Sequence, residues 1–385
     1  MNPEIKKRLG PFETYPQEMQ IQIISLIQKM ISLGFDASFS HAEEGPVVRT
    51  YYFTPSPTSQ LSRIFGKEDD LALSLQVESI ILSRSLGNIC IAVPREDRQI
   101  IKFDSLLLSL FDSEATSTMR LPILLGNTPQ GGKLFLDLAA QPHLLIAGTT
   151  GSGKSIFTSQ VICSLALVQP PERLKFILVD TKQLDLTLFA GLPHIGDVIT
   201  DIHSLRNKLT DLLDIVTERT SLMSGLCRNI GDWNKQNPDS FFDYKILVID
   251  EFADIIGKDL EYLKTLKPSF RPPAISDLVQ RLAQVSRAAG IHLVVATQRP
   301  SVKVLGGDAK TNFPARIAFK LPTMQDSRVV LDENGAERLL GKGDFLYKTS
   351  TSEVMNRAHS AYVTINDIAT IIAQSDFLRR QYSKQ

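Results

Sequence analysis

Cysteine is scarce in this chain of 385 residues: Cys90, Cys163 and Cys227 are far apart and odd in number. That scarcity excludes a disulfide framework and any Cys/His zinc spacing, and it fits reduced thiols in a cytosolic protein. Net charge is lacking as well. Lys+Arg and Asp+Glu both total 42, so bulk electrostatics gives no pull toward nucleic acid, and any such contact must come from a local basic surface. There is no long hydrophobic run. Segment 20–33 places Ile21, Ile24, Ile27 and Ile31 at helical spacing, but Gln20, Gln22, Ser25, Gln28 and Lys29 interrupt it. It falls short of the roughly 20 apolar residues of a membrane span and reads as an amphipathic helix packed on a domain. The start MNPEIKKRLG has basic residues with no apolar stretch behind them, which argues against a cleaved signal peptide. Internal repeats and low-complexity tracts are absent too.

What is present is the texture of a globular protein, 43% hydrophobic and 22% charged, on a chain longer than one core usually serves. Two domains are expected, 1–120 and 121–385. In the first, 16–34 reads as a helix, 45–54 (GPVVRTYYFT) as a strand, about 69–85 as a helix and 88–93 as a strand ending at Pro94, which makes a small α+β unit. From Leu121 short apolar runs alternate with longer helical patterns, the signature of a parallel sheet with crossover helices. The expected strands are 143–147, 175–179, 245–249, 291–297 and 316–320, each apolar enough to be covered on both faces. Residues 258–275 hold three prolines and mixed charge and read as a loop, and the tail after Asp367 reads as one helix.

The strongest local signal is Gly148-Thr149-Thr150-Gly151-Ser152-Gly153-Lys154-Ser155. Its glycines let backbone N–H groups curl around phosphate oxygens. An apolar strand runs into it, and 156–167 follows as a helix whose N-terminus faces the phosphates with its positive end. Lys154 is then expected on the β- and γ-phosphates of ATP and the Ser155 hydroxyl on Mg²⁺. Downstream, Ile246-Leu247-Val248-Ile249-Asp250-Glu251 is a strand delivering two acids, Asp250 to the metal's hydration shell and Glu251 as the base for the attacking water. The adjacent acids imply a further strand between the P-loop strand and this one. Strand 291–296 fits, ending in Thr297-Gln298-Arg299-Pro300, with Gln298 placed to touch both the γ-phosphate and the water. Arg281, Arg287 and Arg299 are three candidates for a finger reaching a neighbour's nucleotide, and the sequence does not choose among them. Directly after Gln298, Lys303 and Lys310 stand on a loop bent at Gly306 and Gly307, where they would meet the phosphates of a DNA partner if the chain has one.

With those pieces in place the chain resembles the motor of FtsK/SpoIIIE-type DNA translocases. The carrying residues are GTTGSGKS, RLAQVSRAAGIHLVVATQRPSV at 281–302, NFPARIAF at 312–319 and DSRVVLDENGAERLLGKGDFLY at 326–347, with Asp180-Thr181-Lys182, Gly191-Leu192-Pro193-His194, Glu218-Arg219 and Arg228-Asn229 in family order. GPVVRTYYFTPSP and the helix after it resemble, more loosely, the family's small α domain. The resemblance covers roughly residues 40–365. It implies an α/β fold, a RecA-like P-loop ATPase with a central parallel sheet preceded by a small α+β domain. It also implies a homo-hexameric ring around double-stranded DNA, with nucleotide between subunits. Three departures stand out: no amino-terminal membrane spans like those of septal members, no room before Gln385 for the winged-helix domain that reads oriented sequences, and Thr181 where the family has proline. Two other readings are an ATPase of a protein secretion system of the same motor family, whose chains usually carry several motor domains, and a nucleotide-binding adaptor without catalysis. The joint presence of Lys154, Ser155, Asp250, Glu251 and Gln298 counts against the second.

Overall fold

The computed structural model describes residues 3–85, 87–111, 114–301 and 312–382. The chain divides into two compact units: Met1–Ile101 with Asn127–Gly132 and Arg338–Leu340, and Lys102–Gly126 with Lys133–Glu337 and Gly341–Gln385.

In the first unit, strands β1 (Ala37–Glu44), β2 (Val48–Pro55), β3 (Ile81–Ser85) and β4 (Asn88–Pro94) form an antiparallel sheet in the order β1-β2-β4-β3. The helix Gln17–Ser32 starts after Pro16 and buries Met19, Ile23, Leu26, Ile27 and Met30, one stripe at three- and four-residue spacing. That stripe joins Tyr51, Phe53, Ile89 and Ile91 in one core, so the segment is a domain helix. The expected helix over 69–85 is shorter, Glu68–Leu75. Gln76 takes a left-handed conformation with φ of 58°, and Val77 N–H bonds back to Ala72 O, closing the helix. The Ile81-Leu82 pair that follows lies on β3, against β4.

The second unit is built on a ten-stranded sheet. Its strands are β5 (Pro122–Asn127), β6 (Lys133–Asp137), β7 (His143–Ala147), β8 (Leu174–Val179), β9 (Ile195–Ile199), β10 (Tyr244–Ile249), β11 (Ile291–Thr297), β12 (Ala315–Phe319), β13 (Asp344–Thr349) and β14 (Ser352–His359). They lie in the order β6-β5-β14-β13-β12-β7-β11-β10-β8-β9. From β12 through β9 the pairing is parallel, and β12-β13-β14 is antiparallel. The five expected strands form within a residue of their expected bounds, and β11 lies between β7 and β10. β5, β6, β9 and the β13–β14 hairpin are additions. The expected loop at 258–275 is half helix: Phe252–Thr265 buries Ile255, Ile256, Asp259 and Leu263 on one face, and all three prolines, Pro268, Pro272 and Pro273, come after it. Asp259 is 1% exposed, pairs with Arg206 and accepts Ile275 N–H at 2.8 Å, which anchors this helix. Among the described residues no helix is long and apolar enough to cross a membrane.

At the entry ends of β7 and β11 lie His143 and His292, each 1% exposed. Burial holds them below the ordinary histidine range, at about 3 and about 4 respectively, and the neighbouring His292 lowers His143 further. His292 Nδ1–H donates to Pro142 O at 3.0 Å and His143 Nδ1 accepts Leu293 N–H at 3.1 Å, so both rings are built in neutral. A histidine whose folded pKa is depressed contributes stability above pH 6.5 that is lost as pH falls toward the folded value. From pH 7 to pH 5 the pair is expected to cost about 4 kcal/mol of unfolding free energy, read as a lower urea midpoint. Burial pushes the Asp344 carboxyl up, but Arg357 and His359 beside it hold it well below the carboxylate range, so it contributes nothing to that window. Equal midpoints at the two pH values would contradict the neutral pair.

Candidate functional site

β7, β11 and β10 run side by side and in parallel, so their carboxyl ends deliver three loops to one edge. β7 enters the loop 148–153, and the helix Lys154–Val168 leaves it. Close packing explains its glycines. A Cβ on Gly148 would lie 2.6 Å from Ser152 Oγ and 2.7 Å from Phe319 Cβ, and Gly153, with φ of 113°, approaches Gly343 N at 2.7 Å from where its Cβ would be. The space over Gly151 is open to 4 Å. Thr149 N–H bonds to Lys320 O at 3.0 Å and Gly148 N–H to Thr297 O at 3.2 Å, which ties the loop to β12 and β11.

Lys154 is 3% exposed, and its ammonium donates to Asp250 O at 2.9 Å and Asp250 Oδ1 at 3.0 Å. Asp250 and Glu251, 6% and 7% exposed, end β10. Glu251 is gripped by the tip of β11: Oε1 accepts the Thr297 hydroxyl at 3.0 Å, and both oxygens accept Gln298 N–H at 3.1 Å. Thr150 Oγ1 donates to Gln298 Oε1 at 3.0 Å, joining the loop's crown to the same tip. Lys154 with Asp250, and Glu251 with Thr297, Gln298 and Thr150, form two hydrogen-bonded sets that adjoin at the Asp250–Glu251 peptide, with Ser155 half-buried at the helix start.

The donor set fits the expected groups. The loop is open over Gly151 and stands at a helix N-terminus, the setting in which backbone N–H groups take phosphate. The Ser155 hydroxyl and Asp250 carboxylate are hard oxygen donors of the kind Mg²⁺ takes when phosphates and waters complete its shell.

The three arginines are separate. Arg299 is exposed beside Gln298, with its backbone N–H on Thr297 Oγ1 at 3.2 Å. Arg281 is exposed on the helix Ile275–Val285. Arg287 lies at the other end of the strands, in a cavity of about 450 Å³ shared with Arg120, Arg228, Tyr244 and His292. Lys303 and Lys310 lie outside the described residues.

Two residues given no role from sequence matter here. Thr297 is one, because a hydroxyl at a strand end looks like ordinary β-branched filling. The other is Asp180, at the end of β8. Its carboxylate is 1% exposed and accepts the N–H groups of Lys182, Leu184 and Leu186 at 2.9–3.1 Å. It shapes the turn that follows β8, and the Thr181 hydroxyl bonds Asp254 at 3.1 Å.

The FtsK/SpoIIIE family model matches residues 107–259 and 246–302, and the FtsK alpha domain model matches 8–95. The DNA translocase FtsK of Helicobacter pylori is 36% identical over 379 residues, which cover 96% of this chain and 42% of the relative. The DNA translocase FtsK of Pseudomonas aeruginosa is 34% identical over 390 residues, 93% of this chain and 46% of the relative. The chain therefore spans under half the length of these curated relatives. Among solved structures it is similar to the pCW3 conjugation coupling protein TcpA in its monomer form with ATPγS (TM-score 0.60, 22% identity, 90% of this chain and 98% of that one). It is also similar to the cytoplasmic domain of the Type VII secretion ATPase EccC of Thermomonospora curvata (TM-score 0.58, 24% identity, 75% and 35%). At these identities the two structures speak to the fold, that of P-loop ATPases.

Proposed function

Because the chain belongs to the FtsK/SpoIIIE family, we propose that it is an ATP hydrolase that works as a motor on double-stranded DNA, in a homo-hexameric ring with nucleotide between subunits. The observation that carries this reading is the convergence of Lys154, Asp250, Glu251, Thr297 and Gln298 on the loop 148–153 from three adjacent parallel strands. In this reading the loop's N–H groups and Lys154 hold the phosphates. Ser155 and Asp250 hold Mg²⁺, which when bound supplies charge neutralisation on the phosphate oxygens. Glu251 takes the proton of the attacking water, and Gln298 orients that water. One of Arg281, Arg287 and Arg299 completes the site of the next subunit, and Lys303 and Lys310 grip DNA phosphates irrespective of sequence. The secretion-ATPase reading draws on likeness of fold alone, whereas the DNA reading draws on relatives at 34–36% identity over nearly the whole chain.

The test is ATP turnover with and without duplex DNA. Duplex is expected to raise the rate, and replacing both Lys303 and Lys310 by alanine is expected to abolish that stimulation and flatten the salt dependence of DNA binding. Turnover indifferent to duplex would turn the assignment toward protein export. A double variant stimulated like the parent would move the tracking contacts elsewhere.

A further inference from the structure

The geometry points to Thr297 as the positioning residue of the hydrolytic base: its hydroxyl, with the Gln298 N–H, fixes the Glu251 carboxylate so that Oε2 keeps a free face toward the nucleotide. This rests on the ATP hydrolysis proposed above. Thr297 is wholly buried, and its hydroxyl has one proton. The backbone N–H of Arg299 donates to Thr297 Oγ1 at 3.2 Å, and that contact turns the proton to Glu251 Oε1 at 3.0 Å. Oε1 thereby receives two donors, while Oε2 shares only the Gln298 amide. A carboxylate has about four acceptor positions, so the unshared ones are concentrated on Oε2. Glu251 precedes the helix Phe252–Thr265 and caps none of its N–H groups with its side chain; its orientation comes from the neighbouring strand.

The experiment is steady-state ATP hydrolysis by the full chain carrying Thr297→Val, which keeps the shape and removes the hydroxyl, beside Thr297→Ser and Thr297→Ala. Hydrogen bonds to charged groups are worth about 1.5–3 kcal/mol. Thr297→Val is therefore expected to lower kcat by about 10-fold or more with KM for ATP unchanged. Thr297→Ser should restore kcat. Should the valine variant fold poorly, the Ser-against-Ala comparison isolates the same hydroxyl, since both lack the methyl. A valine variant with the parent's kcat, or Ser and Ala variants alike in kcat, would overturn the assignment while leaving ATP hydrolysis standing. A parent chain that does not hydrolyse ATP overturns both readings.

Discussion

Glu251→Gln is expected to retain ATP binding and to lose about 10²- to 10⁴-fold in kcat, the range a positioned general base supplies. The amide has nearly the volume of the carboxylate, and its remaining oxygen can still accept from Thr297 Oγ1 and Gln298 N, the donors that hold Glu251 now. The nitrogen that replaces Oε2 has no lone pair to take a proton from water. Binding is expected to be spared because Glu251 touches β11, whereas the proposed phosphate contacts are those of the loop 148–153 and Lys154. Rapid-quench turnover together with nucleotide titration separates the two effects. A variant that keeps more than a tenth of the parent's kcat would place the base on another residue.

Lys154→Ala is expected to weaken ATP binding by about 10- to 100-fold, from the loss of charge-assisted hydrogen bonds to phosphate. It should also destabilise the protein without nucleotide. Lys154 and Asp250 form an ion pair at 3.0 Å with side chains 2% and 8% exposed. Removing one member strands the other, at about 3–5 kcal/mol. Lys154 is thus proposed to exchange its Asp250 partner for phosphate when nucleotide binds, and the alanine variant would lose both contacts. Calorimetric titration and a urea melt without nucleotide read them separately. Unchanged ATP affinity would refute the assignment of the loop, and an unchanged melt would refute the pairing with Asp250.

Most of this site was legible in the sequence because a phosphate cradle requires fixed residue types at consecutive positions. The strands behind it are covered on both faces, so Leu144–Ala147 and Ile246–Ile249 read as unbroken apolar runs. β9 escaped notice because Gly196 and Asp197 interrupt its five residues, and β13–β14 because Lys348, Asn356 and Arg357 dilute its apolar pattern. The helix Phe252–Thr265 was obscured by prolines that belong to the next segment. Gln76 turned a continuous helical pattern into a helix and a strand through one left-handed residue, a choice that propensity does not record. The grip of Thr297 on Glu251 joins residues 46 apart in the chain, and only the pairing of β10 with β11 brings them together. The finger arginine stays open because its proposed target belongs to a second copy of the chain.

The phosphate-side edge has a mechanical property that follows from its glycines. Gly153 abuts Gly343, Gly343 N–H bonds to Ser152 O at 2.9 Å, and Ser360 N–H bonds to Gly343 O at 2.8 Å. Beyond Ser360, Gly126 presses on the carbonyl of His359, only 1.9 Å from where a Cβ would stand. Backbone therefore touches backbone from the loop outward, with no side chain between to bend or change rotamer. No rotamer change can relieve those contacts, so a side chain at Gly126 would have to part β5 from the end of β14, and one at Gly153 would have to part the loop from the start of β13.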